Sequence, residues 1–258
     1  MKYSIVNEKK VVPYPKGKGI CPVCGSSTQA KCGTRKVWHW AHISTEHCDI
    51  WWENETEWHR KWKSLYPEEW QEVVMFDNLT GEKHIADVRT NNGLVIEFQN
   101  SPMSLEELFS RENFYQNMLW IINGKNFIEN FHILHMLPDP NCDFVQDIVF
   151  HARKYSHQGK LFHRKSETYD LGDSSSIFRL RSIESIKSEI ENHYVGHHLF
   201  DWVKPRSVWY ESKMKVFFDF GDELLWNLLR YDDRGLHCIQ AISKRNFVNE
   251  TGGDYVLI

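Results

Sequence analysis

The chain has 258 residues, of which 41% are hydrophobic and 26% are charged, and its net charge is −4. This composition excludes a disordered chain, and the length suits one main domain with one or two attached modules. The longest apolar runs, such as residues 118–122, are far too short to span a bilayer, and the polar first residues show no signal-peptide pattern. We therefore expect a soluble, cytoplasmic protein that does not associate with membranes.

Positive charge is concentrated at the beginning of the chain. Residues 1–42 contain eight Lys/Arg and one acidic residue, Glu8, so this segment carries +7 while the remaining 216 residues carry −11. Such an asymmetry indicates a basic module for an anionic partner. Solvated lysines without a partner are the simpler alternative.

Residues 20–50 are rich in Cys and His and show little periodicity, as expected of a small module built around a metal. A CxxC knuckle lets two thiolates share one ion, and a tetrahedral zinc site needs two further ligands. A redox CxxC is the rival interpretation, but no βαβ pattern precedes it. We predict structural zinc and favour four ligands, with Cys32 or His39 as alternatives for one of them: Cys21, Cys24, His42 and Cys48.

The first segments of regular structure follow from periodicity and turn residues. Residues 1–12 predict short strands, and residues 53–66 predict a helix with Glu55, His59 and Lys63 on one face.

A strand-rich stretch comes next. Residues 68–100 predict three strands separated by the turns NLTG and TNNG. Ser104 with Glu107 predicts the start of a helix, and the apolar stretch after it predicts another strand that ends at Asn123-Gly124. Helix, strands, helix and strand indicate a compact α/β core.

Three polar residues interrupt two of these apolar strands. Asp87 lies on one strand, and Glu97 and Gln99 share a face of the next. If the strands are neighbours, the two carboxylates can converge on a hard divalent cation such as Mg²⁺, with Gln99 beside it. The alternative is structural: Asp87 belongs to a turn, and Glu97 and Gln99 face solvent.

Four motifs together resemble the competence protein CoiA-like nucleases. They are ETEWHRKWK (55–63), IADV (85–88) and IEFQNSPMSLEELFSRENFY (96–115), preceded by CPVC and HWAH. The resemblance covers roughly residues 20–125. It implies an N-terminal zinc-finger-like module joined to a PD-(D/E)XK, or restriction-endonuclease-like, nuclease core.

The resemblance also implies roles for individual residues. Asp87 and Glu97 resemble the metal-binding carboxylates for Mg²⁺ (or Mn²⁺), and Gln99 stands where the wider superfamily usually has a catalytic lysine. Glu55 resembles the carboxylate of the first helix and completes the expected catalytic set. His59, Lys63 and Arg111 are expected to contact the substrate.

The second half of the chain is less informative. Residues 215–248 predict strand, helix and strand. Residues 151–166 combine cations with Tyr155 and Phe162, which is typical of single-strand binding, although a solvated loop explains them almost as well.

These observations predict an α/β protein in three parts. Residues 1–50 form the N-terminal strands and zinc module, 51–130 the nuclease core, and 131–258 a C-terminal accessory α+β portion. The expected function is Mg²⁺-dependent cleavage of DNA, including single-stranded DNA, in uptake and recombination or in defence, alongside proteins of those pathways. A non-catalytic zinc-containing adaptor that hands DNA to a recombination partner is the alternative. RNA cleavage is a third, weaker one.

Overall fold

The computed structural model describes residues 1–44, 51, 55–78, 80–151, 160–172 and 175–256. The protein is a mixed α/β structure made mostly of sheets. It divides into two compact units. Unit 1 comprises residues 1–123, 206–216 and 244–258, and unit 2 comprises residues 124–205 and 217–243. The predicted boundaries at residues 50 and 130 stay a prediction.

Unit 1 begins with a small antiparallel sheet in the order β2-β1-β3-β4-β5. Asn7 and Glu8 both have positive φ in the turn between the first two strands, as a tight hairpin turn requires. The short strands expected in residues 1–12 are thereby confirmed. The strands are β1 (Ser4–Val6), β2 (Lys9–Val11), β3 (Lys18–Ile20), β4 (Ser27–Lys31) and β5 (His39–His42).

A second sheet of unit 1 follows a short helix. Its strands β6, β7 and β8 are antiparallel neighbours, and β9 runs parallel to β8 after a helical crossover. Every residue of β8 and β9 is buried, as is usual where strands pair in parallel. The elements are α1 (Glu57–Lys63), β6 (Gln71–Phe76), β7 (Lys83–Arg89), β8 (Val95–Gln99), α2 (Leu105–Tyr115) and β9 (Met118–Asn123).

Caps explain where the two helices start. Thr56 caps α1 through a reciprocal capping box with His59, so Glu55 lies just before the helix and not within it as predicted. Ser104 caps α2 by accepting the backbone N–H of Glu107 at 3.1 Å, as the sequence predicts. The order helix, three strands, helix, strand is confirmed.

Unit 2 is built around the antiparallel order β10-β16-β19-β18, with two smaller sheets, β11-β12-β15 and β13-β14. Its core contains Phe150, Phe162 and Leu199. The elements are β10 (Phe131–Met136), α3 (Asp143–Gln146), β11 (Ile148–Phe150), β12 (Leu161–Arg164), β13 (Tyr169–Gly172), β14 (Ser175–Ile177), β15 (Arg181–Ser182), α4 (Lys187–Asn192), β16 (His197–Trp202), β18 (Leu224–Arg230) and β19 (His237–Ser243). The strand β17 (Lys215–Asp219) has its first two residues in unit 1 and the rest in unit 2.

The helix predicted within residues 215–248 is wrong in position. Leu224–Arg230 forms β18 and pairs along its whole length with β19, and the helix α5 (Lys244–Glu250) comes later and belongs to unit 1. A short apolar run such as LLWNLL fits a buried strand as well as a helix, and here the pairing partner decides. No helix in the described part of the chain has the length and apolarity needed to cross a membrane.

Candidate functional site

A recessed cavity in unit 1 brings together charged residues from three strands, two helices and the residues before the first helix. The cavity has a volume of about 70 Å³, which is room for several waters. Its wall includes every catalytic and substrate-binding residue predicted from the sequence: Glu55, His59, Lys63, Asp87, Glu97, Gln99 and Arg111. Glu72, which was not predicted, also lines it.

Each of the two predicted metal-binding carboxylates accepts a hydrogen bond from the backbone of the strand that carries the other. The β7–β8 ladder pairs Val88 with Ile96. One residue further, the N–H of Asp87 donates to Glu97 Oε1 at 3.0 Å, and the N–H of Phe98 donates to Asp87 Oδ2 at 3.0 Å. The N–H groups of Asp87 and Phe98, which could otherwise extend the pairing of β7 with β8, therefore donate to carboxylates. These hydrogen bonds fix both carboxylates at the same point of the sheet.

Glu72 is a third carboxylate of this row, and the sequence analysis missed it. Its neighbours Gln71 and Val73 pair with Val88 and Ala86, which places Glu72 across from Asp87 on the side away from Glu97. Glu72 has φ 48°, an uncommon conformation for a residue other than glycine. The signal available in the sequence was a single acidic residue at the start of an apolar strand.

Lys63 lies among three carboxylates. Its Nζ is 2.8 Å from Glu55 Oε1, 3.1 Å from Glu72 Oε1 and 3.3 Å from Asp87 Oδ1. The side chain is only 3% exposed. Burial by itself would lower the pKa of Lys63, but Glu72, Asp87 and Glu55 together raise that pKa well above its ordinary value, so the ammonium stays charged.

The same ion pairs act on the carboxylates. Burial would raise the pKa of Glu72, but Lys63 and the backbone N–H groups of Lys2 and Tyr3 hold it at about 2. The pKa of Glu55 is also lowered, because Lys63 and Arg60 outweigh the effect of burial. Both groups are therefore ionised at neutral pH.

Arg111, predicted to bind substrate, is engaged inside the protein. Its guanidinium lies 3.2 Å from Glu97 Oε2 and 2.5 Å from Glu107 Oε1, and it donates to the carbonyl of Trp51 at 2.8 Å. Burial would lower its pKa, but Glu97 and Glu107 raise it. Arg111 thus orients Glu97 from within the structure.

His59 and Gln99 also line the cavity with defined contacts. The Thr56 N–H donates to His59 Nδ1 at 3.2 Å, so this ring nitrogen takes part in capping α1. The Gln99 side-chain amide donates to the carbonyl of Ser101 at 3.1 Å and lies 3.2 Å from its hydroxyl. Both side chains are buried.

A separate metal-type cluster lies in the N-terminal sheet. The ligand atoms of Cys21, Cys24 and His42 all lie within 4.8 Å of one another, with Cys24 Sγ 3.5 Å from His42 Nε2. The Val23 N–H donates to Cys21 Sγ at 3.4 Å in the CxxC turn. Two sulfurs and one imidazole nitrogen in such a turn fit a metal such as zinc.

The fourth predicted ligand, Cys48, lies outside the described residues. Within the residues that are described, Cys32 and His39 are not part of the cluster. His39 Nδ1 is instead 2.9 Å from the carbonyl of Val37.

Protein purified without added metal is expected to carry one zinc per chain, because two clustered thiolates and an imidazole hold zinc tightly. Elemental analysis measures this. Cys21→Ser is expected to lose the zinc and to melt at a lower temperature, whereas Cys142→Ser, outside the cluster, is expected to change neither. Less than about half an equivalent of zinc, with normal folding of Cys21→Ser, would contradict the assignment.

The N-terminal part of the chain has a recognisable family signature. Residues 8–51 match the family described as competence protein CoiA, N-terminal domain. This match includes the metal-type cluster, confirms the resemblance to CoiA-like proteins and indicates a competence-related protein. The comparisons with curated proteins and with solved structures gave no match.

Proposed function

We propose that the protein is a divalent-metal-dependent DNA nuclease whose active site is the carboxylate cavity of unit 1. The observation that carries this proposal is the reciprocal binding of Asp87 and Glu97, each held by a backbone N–H of the other's strand, with the Lys63 ammonium 3.3 Å from Asp87. The helix, three strands, helix and parallel strand around them support the restriction-endonuclease-like core that the resemblance implies.

Asp87 and Glu97 would hold the divalent ion. Their oxygens are hard ligands, both residues line the cavity, and the cavity has room for the waters that Mg²⁺ keeps. When bound, such an ion stabilises charge on a phosphate and lowers the pKa of a bound water.

The other residues of the cavity prepare this arrangement. Lys63 offsets the negative charge of Glu55, Glu72 and Asp87, which would otherwise repel an anionic phosphate. We assign to Lys63 the positive charge that the superfamily usually places at the position of Gln99. It reaches Asp87 from α1 instead of from β8.

The test compares the cleavage of single- and double-stranded DNA by the wild-type protein with Mg²⁺, with Mn²⁺ and with a chelator. Metal-dependent cutting that is lost in Asp87→Ala supports the nuclease. Tight DNA binding without any cutting supports the adaptor, for which the uncharged Gln99 is the favouring observation.

Substitution of Gln99 tests how far the site depends on it. Gln99→Ala is expected to reduce turnover while metal binding is retained, because the amide positions the loop at Ser101 and is not a metal ligand. Gln99→Lys is expected to cut DNA at least as fast as Gln99→Ala, since an ammonium would reach the same cavity. Metal titration and cleavage rates measure both. Loss of metal binding in Gln99→Ala would show that the amide is a ligand.

A further inference from the structure

The loop that joins β4 to β5 carries exposed cations beside an exposed indole. Lys31 at the end of β4 and Arg35 and Lys36 in the loop are exposed, and the loop contains no acidic residue. Trp38, just before β5, is 43% exposed. We name residues 31–38 the basic tip. One exposed aromatic side chain is ordinary in a folded protein, so the contacts of Trp38 decide what it does.

Trp38 makes two defined contacts. One orients its ring, and the other links its backbone to the carboxylate cavity. The indole N–H donates to the carbonyl of Gly33 at 3.1 Å, which orients the ring without covering it. The carbonyl of Trp38 accepts a hydrogen bond from the guanidinium of Arg60. Arg60 also binds Glu55 at 2.9 Å, and Glu55 lines the cavity. A single guanidinium therefore bridges the basic tip and the wall of the cavity.

We propose that the basic tip binds single-stranded DNA, with Trp38 stacked on an unpaired base of the strand whose backbone enters the cavity. The inference rests on the proposed nuclease function and names its substrate class. An ordered aromatic face beside several cations suits single strands, because bases stack on the ring while phosphates contact the cations. Bases inside a duplex already have both faces covered by their neighbours.

The depth of the cavity favours the same substrate. Glu97 is 4% exposed, and the side chain of Glu55 is 6% exposed, so a phosphate must enter a recess to reach them. Duplex DNA is stiff, with a persistence length of about 50 nm, and bending it inward costs energy. A single strand can turn its backbone into the recess freely.

Residues 151–166 are the other stretch whose sequence suggests binding of single-stranded DNA. Their described part has no exposed aromatic ring on which a base could stack. Phe162 is fully buried in the core of unit 2, and Arg164 is paired with Asp147 at 3.1 Å. Tyr155 lies outside the described residues. The basic tip is the better supported surface.

Binding of oligothymidylate and of a duplex of equal length, measured by fluorescence anisotropy without divalent cations, tests the proposal. Trp38→Ala is expected to weaken single-strand binding about tenfold and to change duplex binding less than about twofold. Trp38→Phe is expected to restore most of the affinity. Val12→Ala, at an apolar residue of the N-terminal segment that is 48% exposed, is the matched control and is expected to bind like the wild type.

Charge removal provides the second arm of the test. The Lys31→Ala/Arg35→Ala/Lys36→Ala variant is expected to flatten the dependence of single-strand affinity on salt, because fewer counterions are released. Unchanged single-strand binding in Trp38→Ala, or equal losses on both DNAs, would overturn the proposal. Tighter binding of oligouridylate would overturn the assignment of DNA. These measurements need no cleavage, so they fail or succeed independently of the nuclease assignment.

Discussion

Asp87→Ala is expected to reduce Mg²⁺-dependent DNA cleavage by about 100-fold or more while the protein remains folded. Loss of a group that stabilises developing charge has effects of this order. Asp87 is the most exposed carboxylate of the cluster, with 22% of its side chain accessible, and Lys63 keeps Glu55 and Glu72 as partners when Asp87 is removed. Relief of repulsion from the neighbouring carboxylates offsets part of the lost ion pair.

Glu97→Gln provides an independent check of the same site. It keeps the shape of the side chain and removes the charge, so we expect a similar loss of cleavage and of metal affinity. Glu82→Ala is the matched control, because this exposed carboxylate lies beside β7 and away from the cavity.

The measurements are cleavage rates, metal titrations and thermal melts with and without Mg²⁺. Normal cutting by both Asp87→Ala and Glu97→Gln would show that the active site lies elsewhere. Unfolding of both variants would show that the two carboxylates are structural.

Lys63→Met is expected to lower the free energy of unfolding by about 3–5 kcal/mol. Removal of one partner from a buried ion cluster leaves its opposite charges uncompensated, and here Glu55, Glu72 and Asp87 all lose the same ammonium. Methionine has a similar length and fills most of the space, so the loss of charge dominates the effect.

Urea unfolding measures this loss, provided that the slope with denaturant is unchanged. Lys61→Met on the same helix is the matched control, because Lys61 is exposed, and its effect is expected within about 0.5 kcal/mol. Combining Lys63→Met with Glu72→Gln is expected to recover part of the stability, because one uncompensated charge is removed. Equal stability of the Lys63→Met and Lys61→Met variants would contradict the role of Lys63.

Local patterns in the sequence were sufficient for the parts of the site that lie close together along the chain. Asp87 and Glu97 are joined by a tight turn, so their meeting on neighbouring strands follows from turn residues and alternation. Cys21 and Cys24 share a knuckle, and the cap at Ser104 is readable from residue type, whereas the start of α1 at Thr56 was predicted too early.

The sequence by itself thus determined the order of elements from α1 to β9, the paired carboxylates and the metal-type cluster. The tertiary structure decided the identity of Glu72 as a third carboxylate, the placement of Lys63 among three acids, and the strand at Leu224–Arg230. The physical reason is that register and ion pairing depend on partners that are distant in the chain. A residue pattern specifies which face of its element a side chain occupies. Only the pairing of strands and the packing of helices specify which other side chains it contacts on that face.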